Sequence, residues 1–291
     1  MSPNLPPTRR VSRLFLGLLL STALCRFASA GTAERPLWNT VDANEGNRVH
    51  ILLRDRRKLD RSAPTFVITH GMGGTESDDR FHQLANAIAV VLPEANVVRL
   101  DWSESSQKTA TFMRLPSPWA VAQEIDPVAE RAARDLETLG LDSSRTTFIG
   151  ESFGNCVNAQ IARHLGGHGK ILAFNPPNDM GGFRTPDLRT CSDLAWSFQT
   201  FSLFDTQAAI ADTGFFLETP PEFTARQQHV AGITWLATQV EAGDTTWLLM
   251  KHSVDAGSAG SFDAVAGFKG ELLKDQHPSR ERTEENSQNS V

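Results

Sequence analysis

A serine flanked by two glycines is the feature of this sequence with the clearest chemical meaning. Ser152 lies between Gly150 and Gly154, with one residue on either side. The β-prone run Thr147 to Ile149 precedes this motif, and apolar residues at helical spacing follow it. A strand that turns directly into a helix at a G-x-S-x-G elbow presents the serine hydroxyl at the edge of a sheet. The spacing therefore predicts that Ser152 is a nucleophile.

A nucleophilic serine that attacks a carbonyl group needs donors for the oxyanion, and the sequence offers two backbone amides. Phe153 follows the serine at the start of the predicted helix, where backbone N–H groups point outward. Met72 lies in a glycine-rich stretch after the apolar strand predicted at 66–69. This stretch lacks the Lys-Ser/Thr ending of a phosphate-binding loop, which argues against a nucleotide site. His70, at the start of the same stretch, is expected to have a structural role.

Alternating strand-like and helix-like segments must hold these groups in place. This alternation predicts an α/β protein, with a mostly parallel doubly wound sheet flanked by helices in a single domain. Before the elbow, the pattern indicates strands at 49–53, 66–69 and 97–100 and helices at 81–92 and 119–139. After the elbow helix it indicates strands at 170–174, up to Asp205 and at 215–218, a helix that begins near His229, a strand-like run in DTTWLLMKH and a helix in FDAVAGFKGELL.

Composition and the two termini narrow the functional classes. The 291 residues are 40% hydrophobic and 21% charged, with a net charge of -6, and no basic patch suggests binding to nucleic acid. Residues 1–30 have the arginines, the apolar run and the Ala28-Ser29-Ala30 site of a signal peptide, so cleavage is expected before Gly31. We expect a secreted or periplasmic domain at 31–273, no integral membrane association after cleavage, and a disordered polar tail at 274–291.

Together these segments resemble the pancreatic-lipase-type branch of the α/β-hydrolases over about residues 66–240. The matching pieces are THGMGG, VVRLDW, FIGESFGNCVNAQIA, ILAFNPPND, TPDLRTCSD and QQHVAGITWL. The resemblance implies a serine carboxylic-ester hydrolase that acts on small-molecule or lipid esters and requires no cofactor. In that reading Ser152 forms the acyl-enzyme, His229 is the general base, and the amides of Met72 and Phe153 form the oxyanion hole.

The third member of the triad is where the sequence departs from the branch. The branch has a catalytic Asp where this chain has Asn175. An amide at that place costs on the order of 10⁴ in turnover in the trypsin example of a Ser-His-Asp triad. The wider superfamily places the acid one strand later, so Asp205 is the expected carboxylate. Asp179, Asp212 and a Ser-His-Asn arrangement remain alternatives, and His252 is the rival to His229.

Other departures bear on the substrate. Glu151 precedes the serine where the branch usually has His, a variable position from which little follows. Only a short segment separates Glu218 from His229, where lipases that act on fat droplets have a long lid. We therefore expect an open site for water-soluble or monomeric esters. The side chains that could line an acyl pocket are those of Met72, Trp102, Phe153, Phe215 and Phe216.

Two further interpretations stay open at this stage. The loop TPDLRTCSD resembles a calcium-binding loop of the branch, with Asp187 and Asp193 as candidate ligands. Cys191 stands where a second carboxylate would help, and no metal is expected. Because Asn175 replaces the acid of the branch, the alternative to an enzyme is a secreted binding protein that keeps the lipase fold with weak or absent catalysis.

Overall fold

A computed structural model describes most of the chain between Trp38 and Leu273. The residues it describes are 38–41, 49–54, 58–75, 77–108, 117–177, 179, 183–200, 210–249, 262–263 and 269–273. They belong to one compact unit, Leu37–Val291. The predicted signal peptide and polar tail, together with Asp205 and His252, lie outside the described residues.

The centre of the protein is a single sheet of ten strands. In chain order the strands are β1 Trp38–Val41, β2 His50–Arg54, β3 Thr65–Thr69, β4 Asn96–Asp101, β5 Thr146–Glu151, β6 Lys170–Phe174, β7 Leu194–Thr200, β8 Thr213–Glu218, β9 Phe262–Asp263 and β10 Lys269–Leu273. Their order across the sheet is β1-β2-β4-β3-β5-β6-β7-β8-β10-β9. Strands β4, β3, β5, β6, β7 and β8 run parallel, and the others pair antiparallel.

This topology confirms the fold class predicted from the sequence. An antiparallel β2, the exchange of β3 and β4 in the strand order, and a run of parallel strands on either side of β5 are the arrangement of the α/β-hydrolase fold. Every residue of β3, β4, β5, β6 and β7 is buried. Strands of this kind are largely apolar because helices cover both faces of the sheet.

Seven α-helices lie within the described residues: α1 Asp79–Val91, α2 Ser103–Ser106, α3 Pro118–Ala122, α4 Ile125–Leu139, α5 Phe153–His164, α6 Ala225–Glu241 and α7 Thr246–Leu249. Helices α4 and α5 pack together and bury one apolar cluster against the sheet. Helices α1 and α6 pack together on a second cluster, rich in aromatic residues. The two clusters place β5, and therefore the elbow that follows it, in the middle of a three-layer structure.

The structure differs from the sequence-based expectation in three segments. Strand β1 lies in a stretch expected to be loop. The single helix expected at 119–139 is two helices, because Pro127 has no N–H to donate to the preceding turn. In the last part of the chain, the segment predicted as a strand forms a helix, and the segment predicted as a helix forms a strand. Thr246–Leu249 is a helix, with its first N–H bonded to Asp244, and Lys269–Leu273 is a strand that pairs with the edge of β8.

None of the helices in the described part of the chain combines the length and the apolar character that crossing a membrane requires.

Candidate active site

The elbow that the sequence predicts is present, and Ser152 occupies its strained position. Strand β5 ends at Glu151, helix α5 begins at Phe153, and Ser152 between them has φ 53° and ψ -127°. A residue other than glycine pays about 1 to 3 kcal/mol for such a conformation. The amide N–H of Ser152 donates to the carbonyl of Phe174 at 2.9 Å, and its own carbonyl accepts from Asn155 at 3.0 Å. These bonds hold the serine at the carboxyl edge of the sheet.

The flanking glycines are required by close backbone contacts. A Cβ atom on Gly154 would lie 2.5 Å from the carbonyl oxygen of Thr69 and 2.6 Å from that of His70. A Cβ atom on Gly150 would lie 2.8 Å from the backbone nitrogen of Asn155. Helix α5 therefore begins directly against the end of β3, which brings the loop after β3 next to the serine.

The two predicted oxyanion donors lie on this loop and at the start of α5. Within the described part of the chain, the N–H groups of Met72 and Phe153 donate to no other backbone group. The loop itself is fixed, because Gly73 N–H donates to the carbonyl of Ser106 at 3.0 Å. The side chain of Phe153 is buried and packs against Phe183, so it belongs to the core. Both amides are thus available to an anion at the elbow.

His70 lies beneath the loop and is fully enclosed. Its Nε2 lies 3.2 Å from Asp101 Oδ1 and 3.2 Å from the backbone nitrogen of Trp102, and its Nδ1 is 3.0 Å from the carbonyl oxygen of Gly71. Its ring stacks on Trp102. Burial alone would raise the pKa of Asp101, but the hydrogen bonds from His70 and Ser103 outweigh it and lower that pKa. The geometry agrees with the structural role expected for His70.

His229 approaches the elbow from helix α6. The capping box formed by Thr224 and Gln227 fixes the start of this helix, and His229 follows within the second turn. Its Nε2 lies 3.3 Å from Oε1 of Glu151, the residue before the nucleophile. Among the described residues, no hydrogen bond joins the Ser152 hydroxyl to a histidine. Such bonds are often long in an enzyme without substrate and tighten when substrate binds.

Asn175 holds the histidine helix through the backbone. Its side-chain N–H group donates to the carbonyl oxygen of His229 at 2.6 Å and to the hydroxyl of Thr200 at 2.8 Å. Its side-chain oxygen accepts from the N–H of Thr200, whose hydroxyl donates to the carbonyl of Gln228. The contacts of Asn175 are therefore with the main chain of α6 and with β7. A carboxylate at this position could not donate these bonds.

The other candidate carboxylates are occupied elsewhere or lie outside the described residues. Asp179 accepts from the N–H of Thr185 at 3.0 Å. Asp212 accepts from the N–H of Ala195 at 2.8 Å, at the start of β7 and so at the opposite edge of the sheet. The predictions for Asp205 and His252 remain predictions. Glu151 is not among the site residues that the sequence predicts, and no local pattern marks it as a partner of His229, because the two are 78 residues apart in the chain.

The loop that resembles a calcium site uses its carboxylates within the protein. Asp187 pairs with Arg189, and Asp193 lies 3.6 Å from His168. Across the residues that the structure describes, no group of three or more His, Cys, Asp or Glu side chains could hold a metal ion. Cys191 is buried and its thiol is free.

Three of the aromatic side chains considered for the acyl pocket belong to the core. These are Trp102, Phe153 and Phe215, which are buried and lie in the two apolar clusters. Met72 and Phe216 are partly exposed.

A pocket of about 280 Å³ lies at the opposite edge of the sheet from the elbow. Its wall includes Thr146, Lys170 and Leu194, which begin β5, β6 and β7. Burial lowers the pKa of Lys170 to about 7. In a parallel sheet the amino edge is far from Ser152, so this pocket is separate from the candidate active site.

No protein-family model matches the sequence, and no curated protein matches it either. Solved structures with a similar fold include a dienelactone hydrolase from Anabaena variabilis, with 13% identity, a TM-score of 0.48, and coverage of 75% of this chain and 100% of that one. An esterase from Pyrobaculum calidifontis has 14% identity, a TM-score of 0.42 and coverage of 77% and 90%. An α/β serine hydrolase without lid from Xanthomonas campestris has 14% identity, a TM-score of 0.42, and coverage of 75% of this chain and 98% of that one. The fold assignment rests on the strand order and the elbow.

Proposed function

We propose that this protein is a serine carboxylic-ester hydrolase that works through an acyl-enzyme on Ser152. The observation that carries the proposal is the strained conformation of Ser152, at the point where β5 turns into α5. Such strain is retained only where the surrounding structure enforces it, and it is typical of functional sites. Here the contacts of Gly150 and Gly154 enforce it.

The proposed reaction needs only groups of the chain and water. The imidazole of His229 takes the proton of the Ser152 hydroxyl as Oγ attacks the ester carbonyl carbon. The oxyanion that forms accepts hydrogen bonds from the N–H groups of Met72 and Phe153. The imidazolium then returns the proton to the leaving alcohol. Water repeats the sequence on the acyl-enzyme and releases the carboxylic acid. No cofactor takes part in these steps.

The connection before the histidine helix supports an open site. Strand β8 ends at Glu218 and helix α6 begins at Ala225, so this connection is too short for a lid of the kind that fat-droplet lipases carry. We propose water-soluble or monomeric esters as substrates. Residues 1–30 further support a secreted or periplasmic location, for which cleavage of the signal peptide before Gly31 remains a prediction.

Labelling with an organofluorophosphonate tests the nucleophile directly. The reagent should modify the wild-type protein and the control Ser144→Ala, an exposed serine at the amino edge of the sheet. It should fail to modify Ser152→Ala, because the label attaches to an activated hydroxyl. Mass spectrometry of the labelled peptide locates the site. Labelling of Ser152→Ala to the wild-type extent would remove the assignment.

An ester series of increasing acyl length, measured with and without micelles, tests the substrate class. Without a lid, activity should follow the concentration of monomeric ester and should show no jump when micelles form. A sharp rise at the micelle threshold would contradict the open site. The same assay on His229→Ala and His252→Ala identifies the base, and we expect the large loss in His229→Ala.

The alternative is a secreted binding protein with the same fold. It was favoured by Asn175, which stands where the lipase branch has its acid. The bonds of Asn175 to Thr200 and to the backbone of His229 supply another reason for an amide at this position. The labelling experiment separates the two functions, because a binding protein without an activated serine is not labelled.

A further inference from the structure

Glu151 is a buried carboxylate directly before the nucleophile. Only 7% of its side chain is exposed, and it ends strand β5. Among the described residues, its ion-pair partner is His229 at 3.3 Å. Removing a carboxylate from water is costly unless an opposite charge or hydrogen-bond donors compensate for it. The imidazole of His229 is the group placed to provide this compensation.

Neighbouring elements fix both members of this pair. A Cβ atom on Gly71 would lie 3.3 Å from Oε2 of Glu151 and 2.9 Å from its carbonyl oxygen. The loop after β3, which carries Met72, therefore lies directly against the carboxylate. On the other side, Asn175 bonds to the carbonyl of His229 and so holds the backbone of the histidine. The distance between the two side chains is therefore set by β5, β6 and α6, which all belong to the core.

We propose that Glu151 is the carboxylate that positions His229 and stabilises its protonated form during catalysis. This inference rests on the proposed hydrolase function and specifies the acid that the sequence left open. In the reaction above, His229 becomes a cation when it takes the proton of Ser152. A buried anion 3.3 Å from the ring attracts that cation strongly, because little water screens the two charges. Glu151 acts through the imidazole of His229 and is a positioning residue.

The other acidic groups near this edge have different partners. Asp101 is engaged by His70 and by the N–H of Ser103. Asp179 accepts from Thr185. Glu151 is thus the described carboxylate that reaches His229, and it comes from the strand of the nucleophile. The lipase branch instead takes its acid from the strand that here ends at Phe174.

Steady-state kinetics of Glu151→Gln test the proposal. This variant keeps the size of the side chain and removes its charge. We expect kcat to fall by about 10²- to 10⁴-fold, with KM changed by less than about threefold, because the carboxylate acts on the imidazolium and not on bound substrate. The matched control is Glu218→Gln, an exposed glutamate at the end of β8, which should retain wild-type kinetics. Denaturant unfolding of each variant verifies that it is folded.

NMR of protein with ¹⁵N-labelled histidine supplies a readout that a purely structural role would not move. The wild type should show a low-field N–H resonance for His229, and Glu151→Gln should lose it while it remains folded. A folded Glu151→Gln that keeps kcat within about threefold of the wild type overturns the proposal. Asp205→Asn, measured in parallel, then shows whether the acid lies there.

The failure of this proposal is distinguishable from failure of the hydrolase function. If Ser152→Ala abolishes labelling and turnover but Glu151→Gln remains active, the hydrolase stands and the role of Glu151 is wrong. If Ser152→Ala remains active, the nucleophile assignment fails first, and the role of Glu151 fails with it.

Discussion

The protein places two histidine–carboxylate pairs at the same edge of its sheet. His70 lies 3.2 Å from Asp101, and His229 lies 3.3 Å from Glu151. The first pair joins the residue after β3 to the last residue of β4. The second joins helix α6 to the last residue of β5. The residue types and the separations are nearly the same, so they do not distinguish the roles of the two pairs.

Enclosure distinguishes them. The side chain of His70 is 2% exposed, stacks on Trp102 and has polar partners at both ring nitrogens. The side chain of His229 is 19% exposed and contacts Glu151, the residue before the nucleophile. A ring whose nitrogens are saturated by fixed protein groups contributes to stability, whereas one that borders an opening can exchange a proton with a substrate. The surroundings of each pair, and not its residue types, therefore decide the role of the histidine.

The largest expected effect is on the second pair. His229→Gln retains an N–H donor for Glu151 but has no basic nitrogen, so kcat should fall by at least about 10⁴-fold. The free energy of unfolding should change by less than about 1 kcal/mol, because the Gln amide still donates a hydrogen bond to Glu151. Ester hydrolysis and urea unfolding of the same preparation measure the two quantities. If this variant keeps its activity, His229 is not the general base, and the proposed difference in role between the two pairs is wrong.

The first pair should give the opposite result. His70→Ala removes a ring stacked on Trp102 and leaves Asp101 without its imidazole partner. We expect the protein to lose about 2 to 4 kcal/mol of unfolding free energy. The folded fraction should lose far less kcat than His229→Gln does. Urea unfolding and ester hydrolysis of the variant measure the two quantities. An unchanged unfolding midpoint, together with a loss of kcat equal to that of His229→Gln, would instead give His70 a catalytic role.

Asn175→Asp tests whether the side-chain amide of Asn175 holds His229 in place. If the acid of the lipase branch were simply missing, this change would raise activity. The structure leads to the reverse expectation, since a carboxylate cannot donate to the carbonyl of His229 or to Thr200. We expect kcat to fall by about 10- to 100-fold through displacement of the helix start. Steady-state kinetics of the variant test this expectation. A gain in kcat would indicate that position 175 can hold the acid of the triad, as it does in the lipase branch.

The smallest effect concerns the pH dependence of the first pair. The folded-state pKa of Asp101 is lowered from its ordinary 3.8. Its contribution to stability is therefore complete above that value and is lost as the pH falls through the lowered folded-state pKa. The difference in unfolding free energy between wild type and Asp101→Asn should shrink on acidification from pH about 5 to about 2. A difference that stays constant over this range would contradict the assigned interaction.

Much of the fold was accessible from local sequence patterns. Buried parallel strands are continuous apolar runs, so β3, β4, β5 and β6 were predicted within a residue or two. The errors fall where local preference competes with a distant partner. Strand β10 lies in a segment expected to be helical, and it forms because β8 offers an open edge. Helix α7 replaces an expected strand because Asp244 caps it, an interaction that hydrophobic periodicity does not reveal.

The candidate site divides in the same way. The sequence determined the elbow, since two glycines and a serine between a strand and a helix require little beyond their neighbours in the chain. The tertiary structure alone decided that Asn175 bonds to the backbone of His229 and that Glu151 reaches its ring. These contacts join residues more than 50 positions apart, and their geometry depends on how β5, β6 and α6 pack. Short-range patterns encode turns and helix starts, whereas the pairing of charges across a core is set only when the core forms.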